Sequence, residues 1–417
     1  MKVKNKNLPS IYYGRKFLLL LMMFVIYFKI RIASIDITKC IVILAITYLI
    51  CNLKKVIEIF NQIGKKQFVV FYLLSIIWTV GVLYREIIYS KNQTSTYITS
   101  REVLYISFFA WILPFFFLMI FDSFQEFAQC VINIMIIQSG IVIASMAVGP
   151  VKYILSLYYA GNKEILYYMS AHIKGISFGI TGASGSVTLM MGQILLICLA
   201  LRDKISTSQF WAQYMFIMVG EALAARTGFY FSIILLCIYF IIEKRYTKLQ
   251  KNIVIIPTAL IMLGSIVTLL IYIYAPDMIE KWIYRLFEIV IGLFVEKDGG
   301  HTLRTIRDMT QPGLSMETIF GTNVLRGVSA HGTVFNNDSG YWQKYFALGL
   351  IGAAAYYVGY FILLCKSVKK VKKCNKFLLY CIIILFLIEY KEPFISYAVY
   401  PMTIMSIAIF ETSKHKE

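Results

Sequence analysis

The stretch IVIIPTALIMLGSIVTLLIYIYA, residues Ile253–Ala275, contains no charged residue. A helix of roughly 20 mainly apolar residues is long enough to cross the hydrocarbon core of a bilayer. Similar apolar runs recur along the chain, for example at Phe17–Phe28 and Val103–Phe121. The sequence lacks the alternating segments of roughly 10 residues that mark outer-membrane barrels. These runs therefore predict an all-α membrane protein that crosses the bilayer many times.

The composition of the whole chain agrees with this class. Of its 417 residues, 59% are hydrophobic and 15% are charged, whereas soluble domains are about half apolar and about a quarter charged. The net charge of +19 comes from Lys and Arg gathered in a few connections, which is typical of cytoplasmic loops, so no nucleic-acid partner is predicted. The eight cysteines show no metal-binding spacing, so neither a zinc site nor a disulfide framework is predicted.

The apolar runs predict about twelve transmembrane helices. Their approximate bounds are 11–29, 37–53, 68–86, 103–121, 127–149, 177–200, 208–225, 227–242, 253–275, 341–365, 377–390 and 394–411. The predicted organisation is a bundle of about nine helices in 1–275, one large loop in 276–340, and about three helices with a short cytoplasmic tail in 341–417. The basic residues before the first run indicate an uncleaved first span.

The distribution of charge predicts the orientation. Lysine-rich connections, such as 366–376, belong in the cytoplasm by the positive-inside rule, and this places both termini there as well. The long segment Pro276–Gly340 carries six basic and eight acidic residues and falls on the outer side. Because unstructured loops longer than about 15 residues are usually functional, chemistry is expected in this outer loop.

Arginines in the outer loop are candidate anion ligands. Arg304 and Arg307 are spaced to share one helical face, where two guanidinium groups form a fork for phosphate. The alternative is that Arg304 pairs with Asp308 in solvent. The segment Met278–Lys297 has the pattern of an amphipathic interfacial helix, which either only anchors the loop or also presents Arg285 to a ligand.

Three further residues are candidates for a site. His331 and Asp338 are expected near the outer membrane surface, where either could act as a general base. The alternative for each is an ordinary loop residue whose hydrogen bonds are made within the loop. Arg226 lies between two short apolar spans, and a charge in that position is a functional hypothesis by default. Its alternatives are snorkelling to the interface and pairing with Glu221.

Several short motifs together resemble those of a known family. Asn337–Trp342 reads NDSGYW and is followed by LGLIG at Leu348–Gly352. The turn AARTG at Ala224–Gly228, and LRTI at Leu303–Ile306 followed by IFG at Ile319–Gly321, complete the set. In this order, on the predicted outer side, they resemble the O-antigen and capsular polysaccharide polymerases of the Wzy type.

The resemblance implies a GT-C-like fold and a glycosyltransferase that needs neither metal nor cofactor. Such an enzyme joins polyprenyl-pyrophosphate-linked oligosaccharide repeat units at the outer face of the bacterial cytoplasmic membrane. Its partners would be the lipid-linked donor and acceptor, membrane lipids and a chain-length regulator. Arg226 and Arg304 would then hold the pyrophosphate, Arg285 or Arg307 would assist, and His331 or Asp338 would be the base.

The sequence leaves two other functions open. An O-antigen ligase shares the fold and the leaving group but transfers finished polymer to another acceptor. A lipid-linked glycan flippase would be a transporter, and transporters typically show internal repeats and charges at the bilayer midplane. The sequence shows no convincing repeat, and its ionisable residues lie at span ends and in the outer loop, which favours the enzyme.

Overall fold

The computed structural model describes residues 9–32, 35–63, 108–170, 174–243, 313–322, 324–328 and 332–413. Within these ranges the regular secondary structure is helical apart from two short hairpins, β1–β2 (Arg31–Ile32 with Ile35–Asp36) and β3–β4 (Gly327–Val328 with Val334–Phe335). The helices are α1 (Pro9–Phe28), α2 (Ile37–Cys51), α3 (Leu53–Ile63), a π-helix (Phe108–Ile112), α4 (Leu113–Ile120), α5 (Phe124–Ala147), α6 (Gly149–Tyr158), α7 (Lys163–Ser170), α8 (Gly182–Ala200), α9 (Thr207–Ala224), α10 (Arg226–Ile242), α11 (Met316–Phe320), α12 (Gly340–Val368), α13 (Asn375–Ile388) and α14 (Val399–Thr412).

The described helices support the predicted all-α membrane class. Among them, α5, α8 and α12 are long and apolar enough to cross a membrane, and α2 with α3 forms a fourth candidate that is bent by 83°. Three shorter apolar helices, α10, α13 and α14, lie near predicted spans. The predicted spans 68–86 and 253–275 lie outside the described residues, so the total of about twelve stays a prediction.

The helices form two compact units, one made of Met1–Thr47 with Gln125–Ile279 and the other of Tyr48–Phe124 with Glu280–Glu417. In the first unit, α8 is buried along most of its length, because it is apolar on all sides. It packs against α9 and α10. A Cβ added at Gly192 of α8 would lie 2.9 Å from Met135 Cγ of α5, so this small residue allows the two helices to approach closely.

Two short helices of the first unit, α6 and α7, occupy the connection between the predicted spans 127–149 and 177–200. Pro150 lies in the first turn of α6, where its missing N–H costs no hydrogen bond. Asn162 caps α7 by accepting a hydrogen bond from the backbone N–H of Ile165 at 3.2 Å. At 1.5 Å per residue, α6 is too short to cross a core of about 30 Å. Its exposed apolar surface suits the membrane interface and consists of Tyr153, Ile154 and Leu157.

Among the described helices of the second unit, α14 is the most buried. It packs against α4, the π-helix and α12, and the Phe410 ring lies 6.3 Å from the Phe124 ring. The hydroxyl of Tyr400 donates a hydrogen bond at 2.8 Å to the backbone oxygen of Cys381. This bond satisfies a polar group inside an otherwise apolar helix pair and connects α13 to α14.

The helix α12 is broken at Gly349, whose φ is +77°. Gly321, with φ +85°, lies directly against this break, and a Cβ on it would be 2.5 Å from Ala347 O. The backbone oxygen of Phe346, which the break exposes, accepts hydrogen bonds from the N–H and the hydroxyl of Thr322, both at 2.9 Å. The two motifs IFG and LGLIG therefore meet each other in space, because only glycine allows their backbones to come so close.

We expect Gly349→Ala to lower the free energy of unfolding by about 2 kcal/mol or more. The substitution places a Cβ at a left-handed backbone position and within 2.6 Å of Phe320 C. Gly359→Ala is the matched control, because Gly359 lies in the same helix with open space around it and alanine favours a helix by about 0.5–1 kcal/mol. Thermal unfolding in detergent measures both, and equal stability of the two variants would contradict the close contact at Gly349.

Candidate functional site

Arg226 is the first residue of α10, at the corner where α9 ends. A single extended residue, Ala225, separates the two helices (φ −166°, ψ 151°), and its N–H donates a hydrogen bond to Glu221 O at 2.8 Å. The Arg226 side chain is half-buried. The first turn of a helix has unsatisfied N–H groups and carries the positive end of the helix dipole. The corner thus places a guanidinium at a position that already favours an anion.

Ser186 of α8 holds this corner in place. Its hydroxyl donates a hydrogen bond to Ala225 O at 2.7 Å and accepts one from the Gly228 N–H at 3.0 Å. A Cβ at Gly228 would lie 2.5 Å from Ser186 O, so glycine is required for α10 to begin against α8. The Arg-Thr-Gly turn is therefore explained by packing, with Gly228 setting the position of Arg226.

A buried polar cluster lies behind the corner, inside the first unit. Ser232 Oγ of α10 lies 2.5 Å from Glu221 Oε2 of α9 and also contacts Gln193 Oε1 of α8. The Tyr214 hydroxyl donates to Ser232 O at 2.6 Å. Glu221 is fully buried, and its carboxylate is bound by Ser232 one turn before Arg226. The cluster links all three helices that form the corner, and Glu221 Oε1 is buried in it with no hydrogen-bond partner among the described residues.

In the second unit, Asp338 forms an ion pair with Arg326. The Arg326 Nη2 donates a hydrogen bond to Asp338 Oδ1 at 2.6 Å, and the side chains are 32% and 61% exposed. The two residues flank the β3–β4 hairpin, which brings them together across twelve positions of sequence. One carboxylate oxygen of Asp338 is thus engaged by a guanidinium. Its role as a general base stays a prediction.

The rest of the NDSGYW motif shapes the start of α12. Asn337 Oδ1 accepts a hydrogen bond from the Ser339 N–H at 2.8 Å, and Gln343 Nε2 donates to Asn337 O at 2.8 Å. The Gly340 N–H donates to Glu389 O at 2.9 Å. A Cβ at Gly340 would overlap the Glu389 carboxylate, so the glycine in this motif is required by the neighbouring end of α13.

Two fully buried ionisable residues lie near this helix start, and the sequence did not single out either as a site residue. The first of them, Glu389, directly follows the last residue of α13. In the structure its carboxylate accepts hydrogen bonds from the Tyr357 hydroxyl at 3.0 Å and the Ile395 N–H at 2.7 Å. Lys344 Nζ donates to Ser396 Oγ at 2.8 Å and lies 5.7 Å from the Tyr356 ring centroid. The sequence feature that could have identified Lys344 is a lysine in the first turns of an apolar span.

A cleft of 630 Å³ lies in the first unit at the C-terminal end of α1. We call it the α1 cleft, and its polar lining is formed by Lys29, Arg31, Tyr158, Tyr159 and Asn162. The Arg31 N–H donates a hydrogen bond to the Tyr158 hydroxyl at 3.1 Å. Burial raises the pKa of the Tyr159 hydroxyl, which therefore stays neutral. No sequence motif pointed to this cleft, because its residues come from three separated segments.

The other predicted pyrophosphate ligands, Arg285, Arg304 and Arg307, lie outside the described residues, as does His331. Their predicted roles therefore stay predictions. In the part of the chain that the structure describes, no group of three His, Cys, Asp or Glu side chains could hold a metal ion. The chain matches no protein-family model, no curated protein and no solved structure.

We expect Ser186→Ala to lower the free energy of unfolding by about 1–3 kcal/mol, since it leaves the buried Ala225 O and Gly228 N–H without the hydroxyl that joins them. Ser184→Ala on the same helix is the control, because Ser184 contributes its backbone oxygen, rather than its hydroxyl, to the hydrogen bond from Thr188. Thermal unfolding of both purified variants checks the difference. A Ser186→Ala protein as stable as Ser184→Ala would show that the hydroxyl does not hold the corner.

Proposed function

We propose that this protein is a polysaccharide polymerase, a membrane glycosyltransferase that joins polyprenyl-pyrophosphate-linked oligosaccharide repeat units. The observation that carries the proposal is the position of Arg226. Its guanidinium is half-buried at the first residue of an apolar 17-residue helix, at a corner fixed by Ser186 and Gly228. A charged side chain between two apolar helices is a functional hypothesis by default.

The chemistry of the reaction explains why an arginine is suited to this place. As the donor sugar is transferred, the bond between its C1 and the pyrophosphate oxygen breaks, and negative charge grows on the leaving group. A guanidinium donates two parallel hydrogen bonds to phosphate oxygens. The N-terminus of α10 adds to the favourable potential. Charge that is already in position needs no reorganisation during the reaction, which is how such groups accelerate it.

The remaining arginines and the membrane topology belong to the same proposal. In this proposal Arg304 also binds pyrophosphate and Arg285 or Arg307 assists, and these three residues lie outside the described ranges. About twelve spans in a GT-C-like arrangement, with both termini in the cytoplasm and the 276–340 loop outside, place these residues at the outer face of the bacterial cytoplasmic membrane. The support for this orientation is the collection of Lys and Arg in the opposite set of connections.

The acceptor hydroxyl must lose a proton as it attacks C1, and His331 and Asp338 are the candidate bases. A base has to lie within hydrogen-bond reach of the hydroxyl proton. Asp338 Oδ1 accepts a hydrogen bond from Arg326 across the base of the β3–β4 hairpin, which gives this carboxylate a structural role. We therefore assign the proton transfer to His331. Asp338 has the role of positioning the β3–β4 hairpin, and His331 lies between the two strands of this hairpin in the sequence.

We expect Arg226→Gln to lower the rate of polymerisation about 100-fold or more, the typical effect of removing one charge-stabilising donor. Arg226→Lys should fall between this variant and the wild type, because it keeps the charge and loses the bidentate geometry. The measurement is chain length against time for purified protein supplied with lipid-linked repeat units.

Lys204→Gln is the control for this experiment, because Lys204 is an exposed cation beyond the C-terminal end of α8. It should polymerise at the wild-type rate. In cells that lack the wild-type gene and express only the Arg226→Gln variant, single repeat units should remain on the carrier. Long carrier-bound chains in those cells would indicate a ligase instead, and a wild-type rate for Arg226→Gln would remove the proposed site.

The two candidate bases predict different outcomes on substitution. We expect His331→Gln to lower the rate about 100-fold or more, and Asp338→Asn to have a much smaller effect. The double variant Arg326→Asp/Asp338→Arg should keep most of the activity, because it restores an ion pair with exchanged signs. The assignment is wrong if Asp338→Asn is inactive, the exchanged pair fails to rescue it, and His331→Gln remains active.

A further inference from the structure

The α1 cleft has a lining that favours an anion. Among the described residues that line it, Lys29 and Arg31 are charged and none is Asp or Glu, while Asp36 of β2 forms an ion pair with Arg31 at 3.9 Å. The hydroxyl of Tyr158 accepts a hydrogen bond from the Arg31 N–H, which leaves its own proton to donate. Asn162 uses its side-chain oxygen to cap α7, so its amide hydrogens are the groups left for the cleft. Most of the polar groups therefore offer donors.

The wall of the cleft is rigidly held before any ligand binds. The Ile180 N–H donates a hydrogen bond to Phe28 O at 2.9 Å, and Gln138 Nε2 donates to Phe178 O at 2.7 Å. The Tyr159 hydroxyl lies 2.7 Å from Ser177 O and 3.0 Å from Gly179 O. A loop pinned by bonds from three helices loses little conformational freedom on binding, which favours affinity.

The surroundings of the cleft indicate that its ligand is attached to a lipid. Tyr158, which lines the cleft, is the last residue of α6, and Tyr153, Ile154 and Leu157 of the same helix are 65%, 54% and 59% exposed. A short helix with such a surface suits the boundary between headgroups and acyl chains. A lipid headgroup at that boundary would lie beside the cleft that Tyr158 lines.

We propose that the α1 cleft binds the phosphate-bearing headgroup of a polyprenyl lipid and holds the acceptor substrate during polymerisation. The second part rests on the proposed function, because that reaction needs two lipid-linked glycans at once. The acceptor keeps its carrier, so its headgroup needs only to be bound. The loop that walls the cleft continues into the first turns of α8, where Ser186 holds the Arg226 corner, so one continuous segment connects the two anion positions.

The experiment measures the binding of farnesyl pyrophosphate to the full chain in phosphatidylcholine nanodiscs. All variants also carry Arg226→Gln, which removes the proposed binding position for the donor substrate. Fluorescence titration then measures ligand binding to the α1 cleft alone. Asn162→Asp is compared with Asn162→Ser in that background. Both residues can cap α7, and only aspartate adds a negative charge to the lining. We expect Asn162→Asp to bind at least about tenfold more weakly than Asn162→Ser.

Further arms identify the ligand and control for folding. Arg31→Gln should also weaken binding, whereas Lys204→Gln should leave it unchanged. Equal thermal unfolding of the two Asn162 variants excludes a folding defect as the cause. Farnesol should bind far more weakly than farnesyl pyrophosphate, and inorganic pyrophosphate should do so too. Equal affinity of Asn162→Asp and Asn162→Ser, or of farnesol and farnesyl pyrophosphate, would overturn the headgroup site.

Two outcomes separate this inference from the function on which it rests. If inorganic pyrophosphate binds as tightly as farnesyl pyrophosphate and responds equally to Asn162→Asp, the cleft binds a free anion and the lipid assignment is wrong. If headgroup binding behaves as expected while the purified protein never lengthens lipid-linked repeats, the polymerase proposal fails and the binding site stands. The binding measurement requires no turnover, so each result is obtained independently.

Discussion

The hydroxyl of Ser186 joins three helices at the point where Arg226 enters the bundle. In apolar surroundings a backbone group without a partner costs several kcal/mol, so a chain can turn there only where side chains satisfy the exposed backbone. Ser186 does this for both Ala225 O and the Gly228 N–H. The position of the guanidinium thus depends on a hydrogen bond from another helix rather than on the sequence beside it.

The second unit meets the same constraint in a different way. The break in α12 at Gly349 frees Phe346 O, and Thr322 satisfies it with two donors. The carboxylate of Glu389, which is fully buried, accepts hydrogen bonds from the Tyr357 hydroxyl and from a backbone N–H. In both units an irregular backbone is paired with polar side chains from elsewhere in the chain. Irregular segments stabilised in this way are where membrane proteins commonly place charged groups for function.

The two proposed anion positions of the first unit differ in a way that fits the two substrates of the proposed reaction. Arg226 lies at a helix N-terminus, where its charge adds to the helix dipole, and this arrangement suits charge that develops during a reaction. The α1 cleft presents several separate donors around a larger volume, which suits a headgroup that is bound and not cleaved. In the proposed reaction the donor loses its pyrophosphate and the acceptor keeps one, so the chemistry requires one position of each kind.

The sequence by itself determined the class of the protein and the approximate position of most described helices, because composition and the length of apolar runs are local properties. It also located the Arg226 corner, since a charge between two apolar spans is visible in one dimension. Only the tertiary structure decided that Ser186 holds this corner, that Gly321 packs against Gly349, and that Arg31 and Tyr158 line one cleft. Each of these contacts joins residues far apart in the chain, and hydrophobic periodicity indicates which face of a helix is buried without indicating which partner covers it.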